Sequence, residues 1–247
     1  MTIKSALTKA AQKLESFDSA QLDADILLAF VLNKSKEFLY THPEVKLNWI
    51  QKIRFFYLIS RRSKNWPIAY LTGQKEFYGR NFYVNKNVLI PRPLTEELIA
   101  KALANIKPGD TICDLGTGSG CIIITIIKEL QKQNYDLSDF KFYAVDISPK
   151  ALQVAKKNAY FHGVDQYIEF LQGDLLKPLQ GLKIDLILAN LPYLDTNDLN
   201  EPSIKKEPKL ALVGTYDKFF QQVAQLNPQP IVIYEDKTGI NIKTSSV

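Results

Sequence analysis

Apolar side chains in the opening part of the chain recur every three or four residues, the period that lays one stripe along a helix. Ala6, Ala10 and Leu14 make one such stripe, and Leu22, Ile26, Leu27, Phe30 and Val31 make a second. Ser19, followed by Asp23 and Asp25, puts acidic groups near a helix start, where the macrodipole favours them. A third stretch, 48–64, carries Ile50, Ile53, Phe56, Tyr57 and Ile59 and ends on the basic Arg61, Arg62 and Lys64. Three or four helices are therefore expected to form a small bundle over residues 1–75. Nothing in it is placed for catalysis, so it is a partner-docking or packing module.

The pattern changes at Glu76. The run Phe77-Tyr78-Gly79-Arg80-Asn81-Phe82-Tyr83-Val84 is aromatic and broken by glycine, and Val88-Leu89-Ile90 follows the turn-forming Asn85-Lys86-Asn87. A β-hairpin linker over 76–92 fits this pattern. Pro91-Arg92-Pro93 then stops any strand, and Thr95, Glu96 and Glu97 open a helix that runs to about Ala104. Beyond it, short apolar runs at 111–114, 141–146, 168–172, 184–189 and 230–234 alternate with amphipathic stretches at 120–131, 149–162 and 217–226. Ser148 as N-cap, Pro149 at the first helical position and Gly163 past the end frame the middle helix. Nearly continuous apolar strands between helices predict an α/β domain over 93–247, built on a doubly wound parallel sheet.

Composition changes this picture little. A hydrophobic content of 46% and a charged content of 23% are those of an ordinary soluble globular chain, and a net charge of +5 is a mild bias that fits a solvated basic surface. The two cysteines, Cys113 and Cys121, with His42 and His162, supply too few soft ligands for zinc. No metal site is expected, and the thiols suit buried positions in a reducing compartment. No leader-like segment or run of about 18 apolar residues occurs, so the expectation is a cytoplasmic chain with no membrane partner.

The candidate chemistry lies at two strand ends. Asp114-Leu115-Gly116-Thr117-Gly118-Ser119-Gly120 follows the first strand of the α/β domain, and its glycines let the backbone turn sharply and approach a ligand. The loop feeds a helix N-terminus, whose free N–H groups attract polar ligand atoms. Asp146 ends the next strand, where a carboxylate can accept both hydroxyls of a ribose. Asp174 ends the third, placed to meet an adenine amino group, with Leu175 beside it to pack on the ring. A cofactor with adenosine and no pyrophosphate suits this set, since the spacing is G-x-G-x-G and no Gly-Lys-Ser/Thr phosphate loop appears. S-adenosylmethionine is such a cofactor, with S-adenosylhomocysteine as its product.

The second site is Asn190-Leu191-Pro192-Tyr193, which emerges from the fourth strand into the crevice at the switch point of the sheet. The Asn190 side-chain oxygen and the Leu191 carbonyl can each accept a hydrogen bond from a planar NH2 group. Pro192 stiffens the turn and Tyr193 offers an aromatic face. An amide nitrogen is a poor nucleophile, and two acceptors that orient its N–H bonds can aim its lone pair at the sulfonium methyl. No histidine is placed as a base. Methyl transfer to an amide or amino nitrogen is the reaction these residues suit.

Further stretches carry a resemblance. Pro67-Ile68-Ala69-Tyr70-Leu71-Thr72-Gly73, Phe77-Tyr78, Leu89-Ile90-Pro91-Arg92-Pro93 with Thr95 and Glu96, the glycine loop, Val145-Asp146, the tetrad, and Glu207-Pro208 with Ala211-Leu212 together resemble the PrmC/HemK family of peptide chain release factor N5-glutamine methyltransferases. The resemblance implies a class I, Rossmann-like methyltransferase domain preceded by a helical domain that docks the release factor. It implies methylation of the glutamine in the Gly-Gly-Gln loop, with no stable nucleic-acid partner. Gly116, Thr117, Gly118, Ser119, Gly120, Asp146, Asp174, Leu175 and Asn190 would bind the cofactor, Arg92 and Thr95 would border its methionine end, and Asn190, Leu191, Pro192 and Tyr193 would hold the glutamine.

Three departures accompany it. Position 191 is Leu where the family usually has Pro, and Asn-Leu-Pro-Tyr is also similar to the tetrad of ribosomal RNA adenine dimethyltransferases, which makes a nucleic-acid adenine N6-methyltransferase the alternative. Val213-Gly214-Thr215-Tyr216-Asp217 lacks an expected Asp-Gly pair. Finally, the family's last helix and antiparallel strand pair are missing after Tyr234, so the fold is expected to be C-terminally shortened, with 230–234 left as an exposed edge and a polar tail over 237–247.

Overall fold

Five helices build the first of two compact units, Met1–Gly73, in a computed structural model that describes residues 1–195 and 201–244. They are α1 (Ile3–Lys13), α2 (Ala20–Leu32), α3 (Lys36–Thr41), α4 (Trp49–Arg62) and α5 (Ile68–Thr72). Reciprocal capping boxes start α1, between Thr2 and Ser5, and α4, between Asn48 and Gln51. Ala6, Ala10, Leu14, Leu27, Phe55 and Ile59 meet in the core.

Two expectations shift in this unit. Asp23 and Asp25 do not merely decorate a helix start. α2 runs through the middle of the bundle, so both carboxylates are buried and must be partnered. Asp23 takes the Arg62 guanidinium at 2.6 Å, and Asp25 accepts the Tyr40 hydroxyl at 2.5 Å. On α4 the buried face is Phe55 and Ile59, whereas Ile50, Ile53 and Tyr57 stand exposed beside Trp49. The helix therefore has two apolar faces, and the sequence pattern does not say which is covered.

The second unit, Gln74–Val247, begins with a hairpin of β1 (Gln74–Phe77) and β2 (Arg80–Tyr83). Its turn is Tyr78-Gly79, both left-handed at φ 51° and 69°, the geometry whose twist suits a two-residue hairpin loop. The expected turn at Asn85-Lys86-Asn87 forms, closed by Val88 N donating to the Asn85 carbonyl at 3.1 Å, but Val88-Leu89-Ile90 forms no strand, so the turn closes no hairpin. The hairpin is also no free-standing linker. Phe77 and Phe82 are buried in the core of the α/β sheet, and the Asn158 side chain bonds both backbone groups of Tyr83.

Then follow α6 (Thr95–Leu103), β3 (Thr111–Leu115), α7 (Cys121–Lys132), β4 (Lys141–Asp146), α8 (Pro149–Phe161), β5 (Ile168–Gln172), β6 (Leu186–Ala189), α9 (Asp217–Val223), β7 (Ile231–Asp236) and β8 (Gly239–Lys243). The sheet order is β5-β4-β3-β6-β7-β8, with every neighbouring pair parallel except β7 and β8. After β3 the chain moves outward through β4 and β5, then returns to the other side of β3 with β6. The crevice between the carboxyl ends of β3 and β6 is the switch point of a doubly wound sheet. Cys113, in the middle of β3, and Cys121, in the first turn of α7, are buried free thiols, and burial pushes Cys121 up to about 12.

The carboxyl end corrects the expected exposed edge. β7 is covered by the chain's own β8, which folds back through a turn at Asp236–Gly239 where Thr238 N donates to Asp236 Oδ1 at 2.8 Å. Ile240 is buried, whereas Ile242, two positions on and on the same face, is exposed, so only the start of β8 is covered. The polar composition of 237–247 hid that short signal, and residues 245–247 lie outside the described part. Among the described residues no helix is long and apolar enough to cross a membrane.

Candidate functional site

The glycine loop is held by backbone contacts. Beyond β3 the Gly116 and Thr117 N–H groups donate to the Val145 carbonyl at 2.8 and 3.0 Å, which pins the loop against β4. Gly116 is left-handed (φ +69°), a conformation that favours glycine, and a Cβ there would stand 2.9 Å from Leu191 Cδ2, which would have to move. Gly118 N donates to Asp146 Oδ2 at 2.9 Å, and Ser148 N donates to Oδ1 at 2.8 Å. Burial raises the Asp146 pKa, and these two backbone donors oppose the rise.

Beneath the loop Asp114 is fully buried. Its Oδ2 accepts the Thr117 hydroxyl at 2.6 Å, and its Oδ1 has no partner among the described residues. Burial lifts this carboxyl from the ordinary 3.8 to about 7, with the Thr117 bond pulling the other way. Asn158, 1% exposed, spends its NH2 on the Ser119 carbonyl at 2.8 Å and the Tyr83 carbonyl at 2.9 Å, so it ties the loop to the hairpin.

A cleft of about 300 Å³ opens above the loop. Gly116, Thr117, Gly118, Ser119, Asp146, Asp174, Leu175, Thr95, Asn190, Leu191 and Pro192 all line it, which brings together most of the residues singled out from sequence. Gly120 starts α7 just behind the wall. Asp174 lies at the rim, and its carboxylate is held below the usual range by Lys218, which bonds it, and by Lys177. Leu175 is left-handed at φ 55°, a conformation that costs a branched residue about 1–2 kcal/mol and turns the chain into the cleft wall.

A smaller cleft of about 100 Å³ adjoins, lined by Arg92, Asn190, Pro192, Tyr193, Leu194 and Glu235 among others. Asn190, Leu191 and Pro192 are shared by both clefts and form the wall between them. Arg92 does not line the larger cleft, contrary to its expected place at the cofactor's methionine end. Its guanidinium is drawn aside by the buried Glu207, at 2.5 Å, whose other oxygen accepts from Ile90 N.

The tetrad is set by side chains from remote parts of the chain. Asn190 Nδ2 donates to Thr95 Oγ1 and Glu235 Oε2, each at 3.0 Å. Thr95 Oγ1 in turn donates to Glu235 Oε2 at 2.6 Å, and the Tyr193 hydroxyl donates to Glu235 Oε1 at 3.0 Å. Leu191 N donates to the Tyr216 hydroxyl, which in turn donates to the Glu235 backbone carbonyl at 2.6 Å. Gly214 closes over the tetrad from the other side, where a Cβ would stand 2.9 Å from the Pro192 carbonyl. Neither Asn190 Oδ1 nor the Leu191 carbonyl has a hydrogen-bond partner among the described residues, and both residues belong to the dividing wall. Burial and the neighbouring Glu235 raise Tyr193 to about 12, which keeps its phenol protonated at neutral pH.

Glu235, Tyr216 and Asn158 were not found from sequence. Each has its partners in other elements, so its neighbours in sequence give little signal. Glu235 had the one usable cue, an acid directly after the apolar run of a buried strand, although Asp236 beside it dilutes that cue.

Residues 5–73 match the model of the PrmC N-terminal domain, and residues 106–237 match a methyltransferase domain. The chain is 42% identical over 238 residues to a release factor glutamine methyltransferase of Koribacter versatilis, covering 93% of this chain and 81% of that one. A protein of the same name from Leptospira interrogans is 43% identical over 208 residues, or 81% and 70% of the two chains. Among solved structures, the hMettl16 catalytic domain in complex with a 3′UTR hairpin shares the fold at a TM-score of 0.50 and 15% identity, over 85% of this chain and 78% of that one.

Proposed function

Since this chain belongs to the release factor glutamine methyltransferase family, we propose that it transfers a methyl group from S-adenosylmethionine to the side-chain amide nitrogen of a release-factor glutamine, the one in the Gly-Gly-Gln loop. The observation that carries this reading is the pair of unpartnered acceptors, Asn190 Oδ1 and the Leu191 carbonyl, in the wall shared by the two clefts.

The larger cleft fits the cofactor. Position 116 has a left-handed backbone that favours glycine, the Asp146 carboxylate stands at the end of β4 where ribose hydroxyls would lie, and Asp174 with Leu175 would flank the adenine. Thr95 and Asn190 stand toward the methionine end, whereas Arg92 belongs on the protein-substrate side. When bound, S-adenosylmethionine supplies a methyl group that the amide nitrogen takes as an N–C bond, the C–S electron pair returning to sulfur and a proton leaving the nitrogen.

The chain's own residues do the positioning. An amide NH2 has two hydrogens in one plane, and two adjacent acceptors fix that plane and the direction of the nitrogen lone pair. Alignment of this kind can supply up to roughly 7–11 kcal/mol of the barrier. A glutamate carboxylate has no hydrogen to offer the same acceptors and is repelled by them. Tyr193 flanks the smaller cleft as a neutral phenol, and the nitrogen becomes acidic as its new bond forms, so no strong base is required. The helical unit Met1–Gly73 serves to dock the release factor, supported by its family match and by the exposed Trp49, Ile53 and Tyr57 on α4. The reaction belongs to the cytoplasm, where translation ends.

The test is transfer of labelled methyl from S-adenosylmethionine to purified release factor, with total RNA offered separately and the modified peptide mapped by mass. Label on the Gly-Gly-Gln glutamine is the expected result. Label on RNA alone, or none on either while the cofactor binds, overturns the reading.

A further inference from the structure

Glu235 does not line the cofactor cleft and has no part in the chemistry above, yet it is the point on which the tetrad converges. It is 2% exposed at the end of β7, and its carboxylate accepts from Thr95, Asn190 and Tyr193. We propose that Glu235 is a positioning residue that decides which face of the Asn190 amide meets the substrate, and so makes the site selective for an NH2 donor. This inference rests on the methyl-transfer reading above.

The reasoning starts from donors and acceptors. An ionised carboxylate can only accept, so the Asn190 atom 3.0 Å from Glu235 Oε2 must be its NH2. Thr95 Oγ1 could donate or accept, but its one hydrogen is committed to Glu235 at 2.6 Å, which leaves only lone pairs facing Asn190. Both neighbours of the Asn190 amide are therefore acceptors, and one N–H is shared between them as a three-centre bond. Turning the amide over would bring Oδ1 against two oxygens. In the observed orientation Oδ1 points away and is free for a substrate hydrogen.

Without the carboxylate the Thr95 hydroxyl is released. It can then donate to Asn190 Oδ1, the two amide orientations become comparable, and the flipped one presents NH2 to the substrate. The backbone holds Glu235 in place from two sides. Its carbonyl accepts the Tyr216 hydroxyl at 2.6 Å, and its strand position pairs with Ile240 of β8. The C-terminal strand is thus part of the support of the reacting site.

The test uses the full chain and three readouts. In the wild-type protein without substrate, one N–H of the Asn190 side chain should exchange with solvent at least about tenfold more slowly by NMR than a free amide. Exchange at the free rate overturns the proposal whatever the variants do. Glu235→Leu should lower kcat for release-factor methylation about 10²–10³-fold, the scale of losing one aimed polar group, with cofactor affinity changed less than threefold. Glu235→Gln, which keeps an acceptor oxygen for Thr95 and Asn190, should recover at least tenfold of that loss. If Gln is no better than Leu, the charge matters and not the amide orientation, and the proposal fails.

The third readout is binding of a release factor whose target glutamine is replaced by glutamate. Wild type should discriminate against it, and Glu235→Leu should erode that discrimination about tenfold, because a flipped Asn190 offers the carboxylate a donor. Unchanged discrimination overturns the proposal, since a loss of packing alone would not move the ratio. Failure of wild type to methylate release factor would remove the reaction while leaving the amide-exchange result intact, so the two failures are distinguishable.

Discussion

The glycine loop and the tetrad face each other across one cleft, and they are held by opposite means. Loop 116–120 is fixed largely through backbone groups: its N–H groups bond the Val145 carbonyl and the Asp146 carboxylate on the adjacent strand. Tetrad 190–193 is fixed by side chains that arrive from 45 and 95 positions away, Glu235 and Thr95, and by the Tyr216 hydroxyl. A loop of the first kind fails when a side chain is added to it. A loop of the second kind fails when a side chain is removed elsewhere. In the proposed reaction the cofactor would be met by the device held mainly through its backbone, and the substrate by the one whose precision depends on the whole sheet edge.

The largest effect expected from breaking this contrast is at the tetrad. Asn190→Ala should reduce methyl transfer by about 10³-fold or more, since it removes an acceptor that orients the nucleophile. Cofactor affinity, measured by calorimetry, should fall only a few-fold, because the loop does not depend on that side chain. Equal losses in both would erase the contrast. On the loop side, Gly116→Ala adds a Cβ at φ +69° that stands 2.9 Å from Leu191 Cδ2. It should weaken cofactor binding about ten- to a hundredfold and destabilise the fold by about 1–2 kcal/mol.

Asn158→Leu tests the tie between loop and hairpin. It strips the Ser119 and Tyr83 backbone groups of their partners and should cost about 1–3 kcal/mol in denaturant unfolding, with a smaller fall in cofactor affinity. Asp114 gives a pH signature. Its carboxyl is raised from 3.8 to about 7 in the folded chain, so the folded state holds a proton that the unfolded state has released. Its contribution to stability is fully present below pH 3.8 and declines as pH rises toward about 7. Asp114→Asn should remove that decline, so the stability of the variant relative to wild type should rise across this window and level off above it. The smallest effect is at the rim. Lys218→Ala leaves the half-buried Asp174 carboxylate with Lys177 alone and should change cofactor affinity less than about threefold.

The parts legible in advance share a physical trait. The parallel strands are short apolar runs because both faces of such a sheet are covered, and the helix Pro149–Phe161 carries its own cap, first-turn proline and terminal glycine. The glycine loop announces itself because few other sequences can make that turn. The hairpin lies earlier than its pattern suggests because Asn85-Lys86-Asn87 is a real turn with no strand after it, while Tyr78-Gly79 owes its left-handed pair partly to Glu96, which accepts Tyr78 N at 2.9 Å. The strand Gly239–Lys243 was missed because five residues with one buried isoleucine give no pattern until an edge is there to pair with. Arg92 was placed beside the cofactor because its pull toward Glu207, far along the chain, leaves no local trace.

The sequence by itself determined the parallel strands, the helical unit and the two candidate site segments, the glycine loop and the tetrad, since periodicity, glycine conformations and caps act within a few residues of one another. Only the tertiary structure decided which way the Asn190 amide faces, what covers the last parallel strand and which acid supports the site. Those depend on hydrogen bonds between groups on separate elements, and the direction of a donor is not defined until folding brings its acceptor within about 3 Å.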